Sequence, residues 1–151
     1  LTWKEQREGR LKSNQSYRLP TTDEWLSACG GADAQLRVGN VAGQEARVDP
    51  WPKHLPTLDL RDAFPRTSPV GSFPAELHGL YDVSGNVSEW VNDSTQDPKK
   101  MTPYQARQSF HPRGPAFSDG SPSTLSFRYI RPSLPIKRMV NVGFRMVLES
   151  Q

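Results

Sequence analysis

The chain has 151 residues, with 19 Lys and Arg against 16 Asp and Glu and a formal charge of +3, a length that suits one domain of roughly 100–200 residues. Hydrophobic residues make up only 34% and prolines number 14, roughly twice the usual proline share of about 5%, so a loop-rich domain spanning residues 1–151 is expected. No apolar run reaches the roughly 18 residues a membrane helix needs, the charge is too small to imply nucleic acid by itself, and the single cysteine, Cys29, excludes an internal disulfide or a Cys-paired metal site.

The chain opens on Leu1, and LTWKEQREGRL is polar and helix-like, unlike a signal peptide. It reads as a fragment of a longer precursor, which leaves localisation open. Residues 1–9 are expected to form a helix that ends at Gly9. In Leu19-Pro20-Thr21-Thr22-Asp23-Glu24-Trp25, Thr21 and Glu24 have the spacing of a capping box, and Asp23 suits the positive end of the helix. Trp25, Ala28 and Cys29 fall on one helical face before Gly30-Gly31 stops it. Cys29 is therefore read as a small buried apolar residue, with no histidine nearby in sequence to activate its thiol.

From Ala32 to Ser72 periodicity is weak, and Pro50, Pro52, Pro56 and Pro65 interrupt any regular element. A connection this long is usually functional or tied down, and a bound metal is one way to tie it. Leu80, Tyr81 and Val83 then lead into turn chemistry at Ser84-Gly85-Asn86. Residues 87–91 read as a short strand with Val87 and Val91 on one face. Residues 95–112 are polar and read as a surface excursion. Leu125, Phe127 and Tyr129, and later Phe144, Met146 and Leu148, alternate with polar or other residues and predict two half-buried strands. There is no internal repeat.

The densest candidate for chemistry is Asp82 to Glu89. Asp82, Ser84 and Asn86 alternate like the start of an EF-hand, but its glycine position is Val87 and its twelfth position is Asp93, so it is not one. Asp82 and Glu89 could still flank a hard cation held by turn carbonyls, against the alternative of a plain Asx-type turn. His54, His78 and His111 share no ligand spacing and read as ordinary loop histidines. The Asn-x-Ser triplets at Asn14, Asn86 and Asn92 are not read as functional. Arg128, Arg131, Lys137, Arg138 and Arg145, interleaved with Phe127 and Tyr129, could form a nucleic-acid surface. A sheet rim of arginines paired to carboxylates is favoured instead. No phosphate-binding loop or nucleophile elbow is present.

Four blocks, YRLPTTDEW (17–25), PVGSFPAELHGLYDVSGNVSEW (69–90), RGPAFSDG (113–120) and NVGFRMV (141–147), stand in an order and spacing that resembles the formylglycine-generating enzyme, or sulfatase-modifying factor, family. The third block departs from the family's usual Arg-Gly-Gly-Ser-Trp, with Pro115, Ala116 and Phe117 in the last three places. The resemblance implies an α+β, C-type-lectin-like fold with short strands, few helices and much irregular backbone. It further implies two structural calcium sites. One comprises Asp82, the Gly85 and Val87 carbonyls and Glu89; the other comprises Asn40, the Val41 carbonyl, Asp62 and the Phe64 carbonyl. Roughly the first half of the family domain, including a strand that pairs near the C-terminus, has no counterpart here. The chain is accordingly expected to be a truncated form, a cleaved product or one member of a pair.

Catalytic members of that family hold copper with two cysteines, and the matching positions here fall at or near Ser126 and Arg131. A hydroxyl and a guanidinium cannot replace two soft thiolates on copper(I), so no copper and no oxidase reaction are expected. The His-rich iron-binding domain of the ergothioneine-synthesising relatives is also missing. The resemblance therefore implies a non-catalytic domain that recognises a protein or peptide ligand through residues 113–138. Relatives of that kind include variable ligand-binding proteins and partners of kinases and secretion systems. Phe117, Asp119, Ser126, Arg128, Tyr129 and Arg131 are the candidate ligand residues, with Phe117, Tyr129 and Arg131 expected as exposed anchors. The alternative is an enzyme of the same family with altered chemistry. No nucleic-acid partner and no membrane span are expected.

Overall fold

The computed structural model describes residues 1–34, 39–48, 52, 54–94 and 98–150; Pro50 lies outside them. Helix α1 (Thr2–Arg7) is followed by strand β1 (Gln15–Arg18) and helix α2 (Thr22–Ala28). A long irregular stretch with 3-10 turns at Gln44–Val48 and Leu77–Gly79 leads to strand β2 (Ser88–Asn92). Helix α3 (Pro103–Ser109), strand β3 (Phe110–Arg113), strand β4 (Val142–Gly143) and strand β5 (Val147–Ser150) complete the order. Two small sheets form. β1 pairs antiparallel with β5, while β2 lies between antiparallel β3 and parallel β4. No helix among the described residues is long and apolar enough to cross a membrane.

The capping box of α2 is present as expected: the Thr21 hydroxyl accepts from the Glu24 N–H at 3.2 Å, and the Glu24 carboxylate accepts from the Thr21 N–H at 2.8 Å. Arg18 grips the same carboxylate with two bonds of 2.7 Å and reaches Glu149 on β5 at 3.2 Å. One guanidinium thus joins β1, β5 and the start of α2. Of the expected helical face, Trp25 and Cys29 bury while Ala28 stays half-buried. Trp25 and Cys29 pack with Val83, Val91 and Phe127 as the core, and the Trp25 and Phe127 rings meet edge to face at 5.7 Å. Burial pushes the Cys29 thiol up to about 12, so it stays protonated and inert at neutral pH.

Three expectations change. Residues 125–130 form turns instead of a strand, with only an isolated bridge between Arg113 and Ile130. The cause is local: the Thr124 hydroxyl bonds the Ser121 carbonyl at 3.0 Å and the Ser126 hydroxyl takes the Arg128 N–H at 3.1 Å, giving the backbone an alternative to a ladder. The polar excursion contains α3, which the sequence reading left out although Thr102 and Gln105 form a second capping box with proline at the first helical turn. At the C-terminus the alternation is real but inverted. Phe144, Met146 and Leu148 are 63%, 41% and 50% exposed, while Arg145 turns inward to Glu89. Because the side-chain period is two, one inward arginine sets the parity of the whole segment.

Trp25 both fills the core and donates its indole N–H to buried Glu89 at 2.8 Å. Trp25→Phe removes that donor and part of the packing, and urea denaturation should show a loss of about 1–3 kcal/mol. A loss below about 0.5 kcal/mol, under the net worth of a typical hydrogen bond, would mean that Arg145 alone satisfies the carboxylate.

Candidate functional site

The long Pro-rich connection is tied to the sheet by a knot of amides. Asn40 and Asn86 are both buried, and Asn86 adopts a left-handed φ of +68°. Its N–H donates to the Asn40 carbonyl at 2.7 Å, and its carbonyl accepts from the Phe117 N–H at 3.0 Å. The Asn86 side-chain oxygen accepts from the Ser68 N–H at 2.9 Å, and its NH₂ donates to the Ser68 carbonyl at 3.1 Å. Asn40 Nδ2 donates to the Arg66 carbonyl at 2.7 Å. Gly85 lies so close that a Cβ there would sit 2.4 Å from the Asn40 carbonyl oxygen. Only glycine lets the two loops meet.

Of the expected cation ligands, Asn40 is itself part of this knot. Phe64 N–H donates to Asp62 Oδ1 at 2.6 Å, and the Asp62 N–H donates to buried Glu45 at 3.0 Å. Burial, with Glu45 nearby, pushes the Asp62 carboxyl up against the opposing Phe64 N–H. Asp82, with φ +62°, accepts the Gly71 N–H at 2.9 Å through Oδ2. Among the described residues Asn40 Oδ1, Asp62 Oδ2 and Asp82 Oδ1 are buried oxygens that accept no hydrogen bond. Such atoms need a partner. Glu89 differs: Arg145 holds its two oxygens at 2.6 and 2.7 Å, and Trp25 adds a third donor. The Gly85 carbonyl already accepts the Val87 N–H at 2.9 Å. No three His, Cys, Asp or Glu side chains converge among the described residues, so a cation here would rest mainly on carbonyl and amide oxygens with single carboxylates, a set suited to a hard ion.

On the other side of β2 lies a groove of about 590 Å³ between α3 and residues 130–137, lined by Tyr104, Gln108, His111, Ile130, Arg131, Leu134 and Lys137 among others. Arg131 forms its floor. The guanidinium pairs with Asp119 and donates to Ser88 Oγ at 2.9 Å, while Ser88 donates to the Gly114 carbonyl at 2.6 Å. Burial pushes the Asp119 carboxyl up, opposed by Arg131 and by the Ala116 N–H at 2.8 Å. The expected ligand residues are thus mostly misplaced. Phe117, Asp119 and Arg131 are 4%, 5% and 8% exposed, so Phe117 and Arg131 are not exposed anchors. Tyr129 is half-buried with the Arg131 guanidinium 5.4 Å from its ring centre. Ser126 serves a turn, and exposed Arg128 pairs bidentately with Asp33 at 2.9 and 2.7 Å. Arg128, Arg131 and Arg145 all pair with carboxylates, as the rim reading expected. Sequence reasoning missed Tyr104, Gln108 and His111. The capping box at Thr102 was the signal that could have placed the first two on a helix.

A profile described as the sulfatase-modifying factor enzyme 1-like domain matches residues 2–150. The chain belongs to the formylglycine-generating enzyme family. It is 39% identical over 82 residues to the mouse (Mus musculus) protein named inactive C-alpha-formylglycine-generating enzyme 2, covering 52% of this chain and 27% of that protein. It is 33% identical over 103 residues to the mouse formylglycine-generating enzyme, covering 65% and 26%. The fold matches PvdO from Pseudomonas aeruginosa with a TM-score of 0.60 at 22% identity, over 99% of this chain and 56% of that one. The chain therefore spans about a quarter of the length of these curated relatives and about half of that solved structure. Its fold is that of the formylglycine-generating enzyme domain, loop-rich with short strands and few helices.

His111 also lines the groove. Its Nε2 lies 3.3 Å from the Thr22 hydroxyl and 3.6 Å from Asp93. Burial, reinforced by Arg113 and opposed by Asp93, holds its pKa below the usual histidine value. A neutral folded histidine contributes stability above the unfolded value of about 6.5, and this is lost as pH falls through that value toward the lower folded one. Denaturation midpoints should fall between pH 7.5 and 5.5, and less so in His111→Gln. An equal fall in both would place the acid sensitivity elsewhere.

Proposed function

We propose that the chain is a non-catalytic binding domain that takes a protein or peptide segment into the groove between α3 and residues 130–137. The observation that carries this reading is the state of Arg131. At one of the two positions that the family resemblance gives to copper thiolates, this chain has a guanidinium committed to Asp119 and Ser88, and the only cysteine is buried in the core. Exposed Tyr104 and Ile130 flank the groove and supply apolar and aromatic contact, the chemistry that dominates binding hot spots. A relative whose name marks it as inactive supports the same reading. Purified chain screened on an immobilised peptide array should bind, and Tyr104→Ala and Ile130→Ala should each weaken binding roughly tenfold, about 1.4 kcal/mol. Arg128→Ala, outside the groove, should not. Binding indifferent to both groove changes would sink the assignment.

The reading includes calcium as a structural ion. Asn40, the Val41 carbonyl, Asp62 and the Phe64 carbonyl would hold one ion, and the unpartnered Asn40 Oδ1 and Asp62 Oδ2 fit that role. Asp82, with the Gly85 and Val87 carbonyls and Glu89, would hold a second. There Asp82 Oδ1 fits, while Glu89 contributes least because Arg145 already balances it. The ion supplies charge-assisted contacts to backbone that has little apolar packing. At about 100 times its dissociation constant it stabilises the fold by roughly 2.7 kcal/mol, or on the order of 5–10 °C in Tm. Chelator should lower Tm, calcium should restore it, and Asp62→Ala or Asp82→Ala should each remove its own part of the response. A melting curve that ignores chelator would reduce both sets to turn chemistry.

A further partner is proposed at the opposite end. Phe144 and Met146 line an apolar cavity of about 390 Å³ with Tyr17, Leu19 and Trp90. The adjoining two-stranded β1–β5 sheet buries none of its residues fully, and such a sheet is marginal alone. Further family-domain sequence, of the kind the longer relatives have room for, would cover this face.

A further inference from the structure

The cation loops and the groove are bonded to each other. Residues 39–43, which carry Asn40 and Val41, include Ala42, whose N–H donates to the Asp119 carbonyl at 2.9 Å. The Ala42 carbonyl accepts from the Leu58 N–H at 2.8 Å, and the Leu60 carbonyl accepts from the Gln44 N–H at 2.8 Å. Buried Glu45 clamps the two halves of the loop, with one oxygen on the Gly43 N–H at 2.8 Å and the other on the Asp62 N–H at 3.0 Å. Gly120 packs on the same layer so tightly that a Cβ would lie 2.3 Å from the Pro56 carbonyl oxygen. Residues 41–43, 56–60 and 119–120 thus form one backbone-bonded layer. Its outer member, Asp119, holds Arg131 at the groove floor, and the Arg131 N–H is bonded to the Pro112 carbonyl at 3.0 Å.

We infer that cation occupancy at Asn40 and Asp62 sets the order of the groove through Ala42, Asp119 and Arg131, so that ligand binding by this domain is calcium-dependent. The inference rests on the cation site and groove proposed above. Two buried oxygens left without donors make the loop the element whose order the ion changes, and the bonded layer carries that order to residues 130–134. Coupling of this kind is reciprocal, and typical coupling factors are roughly 5–150-fold. Glu45 and Asp119 act here as positioning residues, since neither is required to touch the ion or the ligand.

Hydrogen–deuterium exchange of the purified chain, with calcium alone as the probe against chelator, tests this directly. Calcium should slow exchange in residues 39–48 and 58–64, and also slow the Arg131 amide and its neighbours by roughly 5-fold or more. Asp119→Asn should keep the first response and lose the second. If that variant does not fold, Arg131→Lys, which keeps the charge but not the two-pronged contact, tests the same link. Protection confined to the loops overturns the coupling and leaves the cation site standing. No protection anywhere overturns the cation site and the coupling with it.

Discussion

One buried amide holds this structure together. Asn86 uses its backbone N–H, backbone carbonyl, side-chain oxygen and side-chain NH₂, and through them it fixes Asn40, Phe117 and Ser68. Those partners belong to three segments with almost no regular structure. Hydrophobic burial acts on them only through a few side chains such as Val41, Ala42, Ala116 and Phe117, outside the five-residue core cluster of the described residues. A fully satisfied polar network can locate them, since each unmade bond in a low-dielectric interior costs more than its net worth when made. The left-handed backbone at Asn86, and Gly85 packed against the Asn40 backbone, are what let that amide reach all of its partners.

Strand β2 distributes the remaining anchors. Ser88 and Glu89 are neighbours, and a strand sends neighbouring side chains to opposite faces. Ser88 serves Arg131 and the Gly114 carbonyl, whereas Glu89 serves Arg145 and Trp25. Each face therefore carries one arginine–carboxylate pair, the buried Arg131–Asp119 and the half-buried Arg145–Glu89. Such pairs add little net stability compared with apolar packing, but removing one partner strands the other at about 3–5 kcal/mol. Their effect is to fix arrangement: one sets the groove floor, and the other sets which side chains of residues 144–148 face outward.

This arrangement belongs to the frame of the domain and involves none of the chain's cysteine chemistry. The blocks that match the family supply Asn86 of the knot, the α2 cap and the Glu89–Arg145 pair. The block where this chain departs, Arg113 to Phe117, lies beside the groove, and there Pro115, Ala116 and Phe117 are buried. The departure is therefore absorbed by packing and leaves the frame intact.

The family, the fold class, the α2 cap and its buried Trp25–Cys29 face were legible in the sequence, because each depends on short-range spacing or on blocks of side chains with a fixed local job. The buried oxygens of Asn40, Asp62 and Asp82 that accept no hydrogen bond belong to residues that the sequence also singles out. What stayed hidden depends on parity and distance. Alternation showed that residues 144–148 are extended, but only a contact with Glu89, 56 residues away, shows that Arg145 and not Phe144 points inward. The same holds for Arg131: its charge suggested an exposed anchor, and Asp119 and Ser88, meeting it across separate loops, make it a buried floor. Local patterns determine which elements form and which face could be apolar. Which charges are neutralised, and hence which side chains remain for a ligand, is decided by long-range pairs that exist only in the folded chain.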